Sequence, residues 1–116
     1  MTITNPSVAL DSEHKVIYKR AGLTSDDKPQ VSIVSGGGSG HEPAFAAYVG
    51  DGLLSAAVAG SIFASPSSSQ IRTAIIKRVQ GQERGVLVII MNYTVSFTCT
   101  VDAFKLHLQC KRGTSC

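Results

Sequence analysis

The sequence predicts an α/β domain built around a parallel sheet, with a glycine-rich loop leading from strand to helix. Three observations carry this expectation. Val31-Ser32-Ile33-Val34-Ser35 is short, β-rich and bounded by glycines, as a strand should be. Val86-Leu87-Val88-Ile89-Ile90 is continuously apolar, the pattern of a strand covered on both faces of a parallel sheet. Between them, Ser65-Pro66 opens a helical pattern in which Ile71, Ala74, Ile75 and Val79 fall on one face.

The remaining elements follow in chain order. Asn5-Pro6 and the run from Thr24 to Pro29 are turn signals, and Val16-Ile17-Tyr18 between them reads as a short edge strand or an anchored extended segment. After the first parallel strand come Gly36-Gly37-Gly38-Ser39-Gly40, read as a loop. His41 to Val49 is then expected as a helix, with Pro43 in its first turn, Glu42 at its positive end and Gly50 near its close. Ser55 to Ala59 is a further strand, and Gly81 marks the stop of the second helix. Strand, loop, helix, strand, helix, strand is the order of α/β units, in which ligands bind at the carboxyl ends of the strands. The glycine loop and the segments after Ala59 and Ile90 all emerge at that edge. Beyond Thr94 the pattern weakens: Val95 to Val101 alternates, and Lys111 to Cys116 reads as a frayed end.

Composition excludes several function classes. A chain of 116 residues holds one small domain with a core. No apolar window is long enough for a membrane helix, and no basic start precedes an apolar run, so the cytoplasm is the expected compartment. Net charge is +3, but the body up to Thr94 carries eight basic and seven acidic side chains. So even a balance argues against nucleic acid and for a small ligand of little charge. All three cysteines (Cys99, Cys110, Cys116) lie near the end, an odd number that does not read as a disulfide framework. Cys99, His107 and Cys110 lack the paired spacing of a zinc site, so no metal is expected.

Gly36 to Pro43 is the chemically informative stretch. Four glycines in five residues let backbone approach a ligand closely, and a following helix would direct free amides toward its oxygens. His41 adds a group that exchanges a proton near neutral pH. Two better-known motifs fail. A P-loop needs Lys-Ser/Thr where His41-Glu42 stands, and the dinucleotide fingerprint loses its final spacing, with Asp51 too early for a ribose-binding acid.

The sequence resembles the dihydroxyacetone (glycerone) kinases. The residues that carry the likeness are Ser35-Gly36-Gly37-Gly38-Ser39-Gly40-His41-Glu42-Pro43-Ala44, Tyr48-Val49-Gly50 and Leu53-Leu54-Ser55-Ala56-Ala57-Val58. Phe63-Ala64-Ser65-Pro66-Ser67 and Asn92-Tyr93-Thr94 continue it, and Asn5-Pro6 with Val16-Ile17-Tyr18-Lys19-Arg20 fit the leader. The resemblance covers about residues 5 to 94, so residues 1–94 are expected to be the opening part of a DhaK-type substrate-binding domain. Residues 95–116 are then an unrelated tail.

The resemblance implies a function, residue by residue. Gly38, Ser39, Gly40 and His41 match positions that hold the hydroxyl and carbonyl oxygens of dihydroxyacetone, and His41 inherits a role in proton transfer. The resemblance implies full-length enzymes that use ATP and Mg2+ to phosphorylate the ketose, with glyceraldehyde as a second candidate substrate, and that are often homodimers. Two positions depart. Met91 stands where the family often has lysine, and Thr94 is followed by Val95-Ser96 rather than by Gly-Asp with its activating carboxylate. The family's hemiaminal-forming histidine has no counterpart, since His14 lies in the leader and His107 in the tail. The resemblance therefore implies a chain that binds no nucleotide and has little or no activity of its own. The alternatives from other classes are a non-catalytic binding or regulatory module, and a gene-model artefact.

Overall fold

The computed structural model describes residues 5–20, 30–40, 42–79 and 84–91. Strand β1 (Val8–Asp11) turns into β2 (Val16–Lys19), antiparallel, with Val8 opposite Lys19 and Asp11 opposite Val16. Asp11 shapes the turn itself, its carboxylate accepting the His14 amide at 3.2 Å. Strands β3 (Ser32–Ser39), β4 (Ala56–Ile62) and β5 (Val86–Ile89) form the parallel core. The sheet order is β1-β2-β4-β3-β5, so the expected parallel sheet is extended on one side by the antiparallel hairpin.

Strand β3 is longer than expected. The glycines at 36 to 38 do not leave the sheet, because Gly36 pairs with Val58 and Gly37 with Ala59. A side chain at Gly36 would collide with the Val58 carbonyl, so glycine here serves close strand approach. The loop begins only at Gly40.

The helix expected over His41–Val49 is corrected to a short 3₁₀ turn at Ala46–Tyr48. Residues 42 to 45 form turns, with cis peptide bonds at Glu42-Pro43 and Ala44-Phe45. Proline disfavours helical backbone at the residue before it, and the alanine-rich remainder is too short to sustain a helix. Phe45, Val49 and Leu54 instead pack on one face of the sheet with Val8, Ile17 and Ala57.

The opposite face carries the larger core. Helix α1 (Ser68–Thr73) starts from a capping box: the Gln70 amide donates to Ser67 Oγ at 3.3 Å, and the Ser67 amide to Gln70 Oε1 at 2.9 Å. A π-helical segment, Ala74–Arg78, continues it. The apolar face read from the sequence is the one buried: Ile71, Ala74, Ile75 and Val79 pack on Val16, Val34, Ala56 and Val58. Val86 and Val88 of β5 turn toward this core, whereas Leu87 and Ile89 are half exposed. So β5 is covered on one face only among the described residues, where its apolar run suggested two. His41 and residues 92–116, with the strand-like run at 95–101 and the rejected zinc set, lie outside the described residues.

Candidate functional site

The carboxyl ends of the three parallel strands meet, as the strand order requires. Ser39 pairs with Ile62, so β3 and β4 finish side by side, and Met91 follows β5. A register shift between Gly37 and Ser39 marks where the two strands part. Ser39 ties them at this point: its carbonyl accepts the Phe63 amide at 2.8 Å, and its hydroxyl donates to the Gly60 carbonyl at 2.7 Å.

The site residues expected from the sequence sit at this junction. Gly38 lies against the Phe63-Ala64 turn, where a β-carbon would come within 2.8 Å of the Ala64 nitrogen. Gly40 has φ +115°, and a β-carbon there would come within 2.7 Å of the Phe63 ring. Its amide donates to both carboxylate oxygens of Glu42, at 3.0 and 3.1 Å. Thus Glu42 serves no helix dipole; it engages the Gly40 amide at the exposed end of the glycine run. Gly38, Ser39 and Gly40 are brought together, and His41 lies outside the described residues.

Two contributors, Phe63 and Phe45, were not legible as site residues; Met91, expected as a departure from lysine, joins them. Phe63, 73% exposed and at φ 50°, forms a wall over Gly40. Phe45 and Met91 close the other side, both within contact range of a β-carbon built at Gly37. Met91 therefore lies beside the glycine stretch, so the departure from lysine falls at the site itself and makes this wall apolar. The sequence held a signal for Phe63, in the block Phe63-Ala64-Ser65-Pro66-Ser67, but no signal for what it touches.

Two other features are separate. A hollow of about 30 Å³ beneath Pro66, Ile71 and Ile90 is apolar and has room for little more than a water. Asp11, Glu13 and His14 lie within 4.8 Å of one another, but Asp11 is already engaged by Arg78 and His14. No helix among the described residues is long and apolar enough to cross a membrane.

Comparison with known proteins places this geometry. Residues 1–104 match the Dak1 domain. Over 92 residues the chain is 46% identical to dihydroxyacetone kinase 1 of Saccharomyces cerevisiae, covering 79% of this chain and 15% of that protein. It is 52% identical over 85 residues to the dihydroxyacetone-binding subunit DhaK of a PTS-dependent kinase of Listeria innocua, covering 72% of this chain and 25% of that one. Among solved structures, the dihydroxyacetone kinase operon co-activator Dha-DhaQ superposes with TM-score 0.80 at 37% identity, over 97% of this chain and 32% of that one. The dihydroxyacetone kinase of C. freundii, in complex with AMP-PNP and Mg2+, superposes with TM-score 0.65 at 36% identity, over 89% and 18%. The chain thus spans a quarter or less of the length of these two curated relatives. With its strand order, its glycine junction and these matches taken together, the chain belongs to the Dak1 domain family of the dihydroxyacetone kinases.

Proposed function

We propose that the junction of Gly38, Ser39, Gly40 and His41 holds a small ketose, dihydroxyacetone, for phosphorylation by a dihydroxyacetone kinase. The observation that carries this reading is the Gly40 amide, exposed at the strand ends and already donating to two carboxylate oxygens. A donor that binds one oxygen pair is chemically suited to another, such as the carbonyl or hydroxyl of a triose. His41 follows directly in the chain and would take or give the proton of the bound hydroxyl. Phe63, Phe45 and Met91 supply apolar walls that exclude water from the small ligand.

The phosphate would come from ATP with Mg2+, as the complex of the C. freundii relative suggests. The described residues do not fit that cofactor. Their glycine run is paired within the sheet, with Gly36 against the Val58 carbonyl, and makes no open phosphate nest. No step is therefore assigned to this chain beyond holding the ketose and moving its proton. Met91 in place of lysine, and Val95-Ser96 in place of Gly-Asp, leave this chain with little or no turnover of its own. Purified chain incubated with ATP, Mg2+ and dihydroxyacetone tests this; phosphorylation at an ordinary kinase rate overturns the inactivity. A titration followed by NMR tests the site: dihydroxyacetone should move the amides of Gly38, Ser39 and Gly40, and His41→Ala should remove most of that shift. One or two net hydrogen bonds of about 1 kcal/mol each give millimolar affinity or weaker.

A second reading is a binding module that acts through a partner. It is favoured by the similarity to the operon co-activator, which extends over 97% of this chain. A pull-down that recovers one partner in fixed stoichiometry supports it, and a monodisperse, unpartnered chain counts against it.

A further inference from the structure

A polar cleft lies on the helix side of the sheet, lined by none of the residues of the glycine junction. It has a volume of about 420 Å³ and is lined by His14, Ser68, Ser69, Arg72, Thr73, Ile76 and Lys77. We propose that this cleft binds the dianionic phosphate group of a small molecule, with Arg72 and Lys77 as its cationic ligands.

Four observations support it. Arg72 is the first. Its Nε is buried and has no hydrogen-bond partner, the one such side-chain atom among the described residues. Buried polar groups in folded proteins are nearly always paired, and an unpaired donor on a guanidinium calls for an anion. The contrast with Arg78, on the same helical run, is instructive. Arg78 is fully engaged, its Nε and Nη2 reaching Asp11 at 2.9 and 2.8 Å and its guanidinium stacking over the Tyr18 ring at 5.4 Å. The buried carboxylate of Asp11 is thus already engaged by Arg78, and Glu13 is exposed in the turn. Among the described residues, nothing lining the cleft is acidic.

The second observation is the π-helical segment at Ala74–Arg78. Such segments are rare, and they concentrate at functional sites because the extra residue re-aims the side chains that follow. Here it places Ile76 and Lys77 on the cleft while Arg78 reaches Asp11. The third is rigidity. Gln70 Nε2 donates to the His14 carbonyl at 3.0 Å and to the Ala59 carbonyl at 3.1 Å, fastening the hairpin turn to α1 and β4. The cleft walls are therefore held before any ligand arrives, which lowers the cost of binding. Fourth, the hydroxyls of Ser68, Ser69 and Thr73 line the cleft beside the two cations. A phosphate accepts from such a mixed set, guanidinium fork first and hydroxyls around it. Arg72 and Lys77 carry two positive charges, matching the phosphate's two negative ones.

The test is a titration of the full chain with inorganic phosphate, followed at the Arg72 Nε–Hε resonance, with glycerol 3-phosphate and sodium chloride of matched ionic strength in parallel. Two charge-assisted hydrogen bonds give a dissociation constant on the order of 1 mM. Saturable movement of the Arg72 resonance by phosphate but not by chloride is expected. Read at the backbone amides of Ser68, Ser69 and Thr73, which persist in the variants, Arg72→Met should weaken phosphate binding by at least about tenfold, and Lys77→Ala, an exposed site, should weaken it severalfold without risk to the fold. Tighter binding of glycerol 3-phosphate identifies a phosphate monoester as the ligand class; equal binding identifies free phosphate. The proposal is overturned if the shift does not saturate, if chloride reproduces it, or if it survives both substitutions. Because His41→Ala leaves this cleft intact, its failure and the failure of the glycine junction are read separately.

Discussion

The guanidinium of Arg78 holds the carboxylate of Asp11 across 67 residues of sequence, joining the end of the helical run to the first strand. Burial among the strands works to raise the Asp11 pKa. The hydrogen bond from Arg78, the His14 amide and ring, and the Arg78 charge together overcome it and hold the carboxyl below its ordinary value. A depressed folded-state pKa contributes stability above the unfolded value, near 3.9, and that contribution is lost as pH falls through the folded value. Asp11→Asn should therefore lower the melting temperature by a few degrees at pH 7. At pH values below the folded Asp11 pKa the variant and the parent should melt together. A gap that stays constant down to acid pH would show that the charge is not what matters.

The cores on the two faces differ in what their loss should cost. Ile75 is 4% exposed and packs in the larger cluster under the helical run. Ile75→Ala should destabilise by about 2–5 kcal/mol, as buried isoleucine truncations do. Leu53, 60% exposed, gives the control: Leu53→Ala should stay within about 0.5 kcal/mol. Urea denaturation of both variants checks the ranking, and comparable losses would place the core elsewhere.

Legibility followed from how locally each element is specified. Strands β3 and β5 were readable because β-branched residues dominate 31–34 and 86–90 and favour extended backbone locally. The helical face at Ile71, Ala74, Ile75 and Val79 was readable because its period matches the surface it covers. The length of β3 was not, because a glycine run signals a loop unless a neighbouring strand leaves room only for hydrogen, as Val58 does for Gly36. The hairpin was half legible: Val16-Ile17-Tyr18 signals a strand, but it is not the expected edge, because Val8 to Asp11 pairs on its outer side, held by register with it and by Arg78 from far along the chain. The helix expected at His41–Val49 rested on Pro43 as a first-turn proline, but the same proline disfavours helical backbone at Glu42 before it. At the site, the glycines were legible as types, whereas Phe63 over Gly40 and Met91 over Gly37 are tertiary contacts with no local signature.

Leu87 and Ile89 project together from one face of β5 at 53% and 50% exposure, a pair of large apolar groups at the sheet edge. Apolar surface of this kind binds ANS. The chain should enhance ANS fluorescence, and Leu87→Lys with Ile89→Lys should remove most of the enhancement while the far-UV CD spectrum is kept. Undiminished fluorescence in the double variant would locate the exposed surface elsewhere.

Gly40 and Phe63 offer a test of the junction by coupling. Gly40→Ala meets two penalties, a positive φ of 115° and the Phe63 ring, and should cost about 1–3 kcal/mol. In a Phe63→Ala background the ring is gone and only the backbone penalty remains, so the same substitution should cost less. A double-mutant cycle measures the difference, expected at about 0.5 kcal/mol or more. Strict additivity would mean that the ring does not rest on Gly40.

The contact between Gly40 and Glu42 makes a prediction about ligand binding itself. In the free chain the Gly40 amide is held by a carboxylate at 3.0 and 3.1 Å, so an incoming ketose oxygen must displace it. A hydrogen bond to a charged acceptor is stronger than one to a neutral carbonyl or hydroxyl, so the carboxylate is an effective competitor. It is also exposed, which limits its advantage to a fraction of the in-vacuum value. Glu42→Ala should therefore tighten dihydroxyacetone binding modestly, by about twofold to tenfold, equivalent to about 0.5–1.4 kcal/mol. It should also move the Gly40 amide proton upfield in the absence of ligand, since a carboxylate partner pulls that resonance downfield. Binding should stay noncovalent throughout, visible as an unchanged intact mass of the ligand-saturated chain. An unmoved Gly40 resonance together with weaker binding in Glu42→Ala would mean that Glu42 supports the ligand rather than competing with it, and the reading of that contact would have to be reversed.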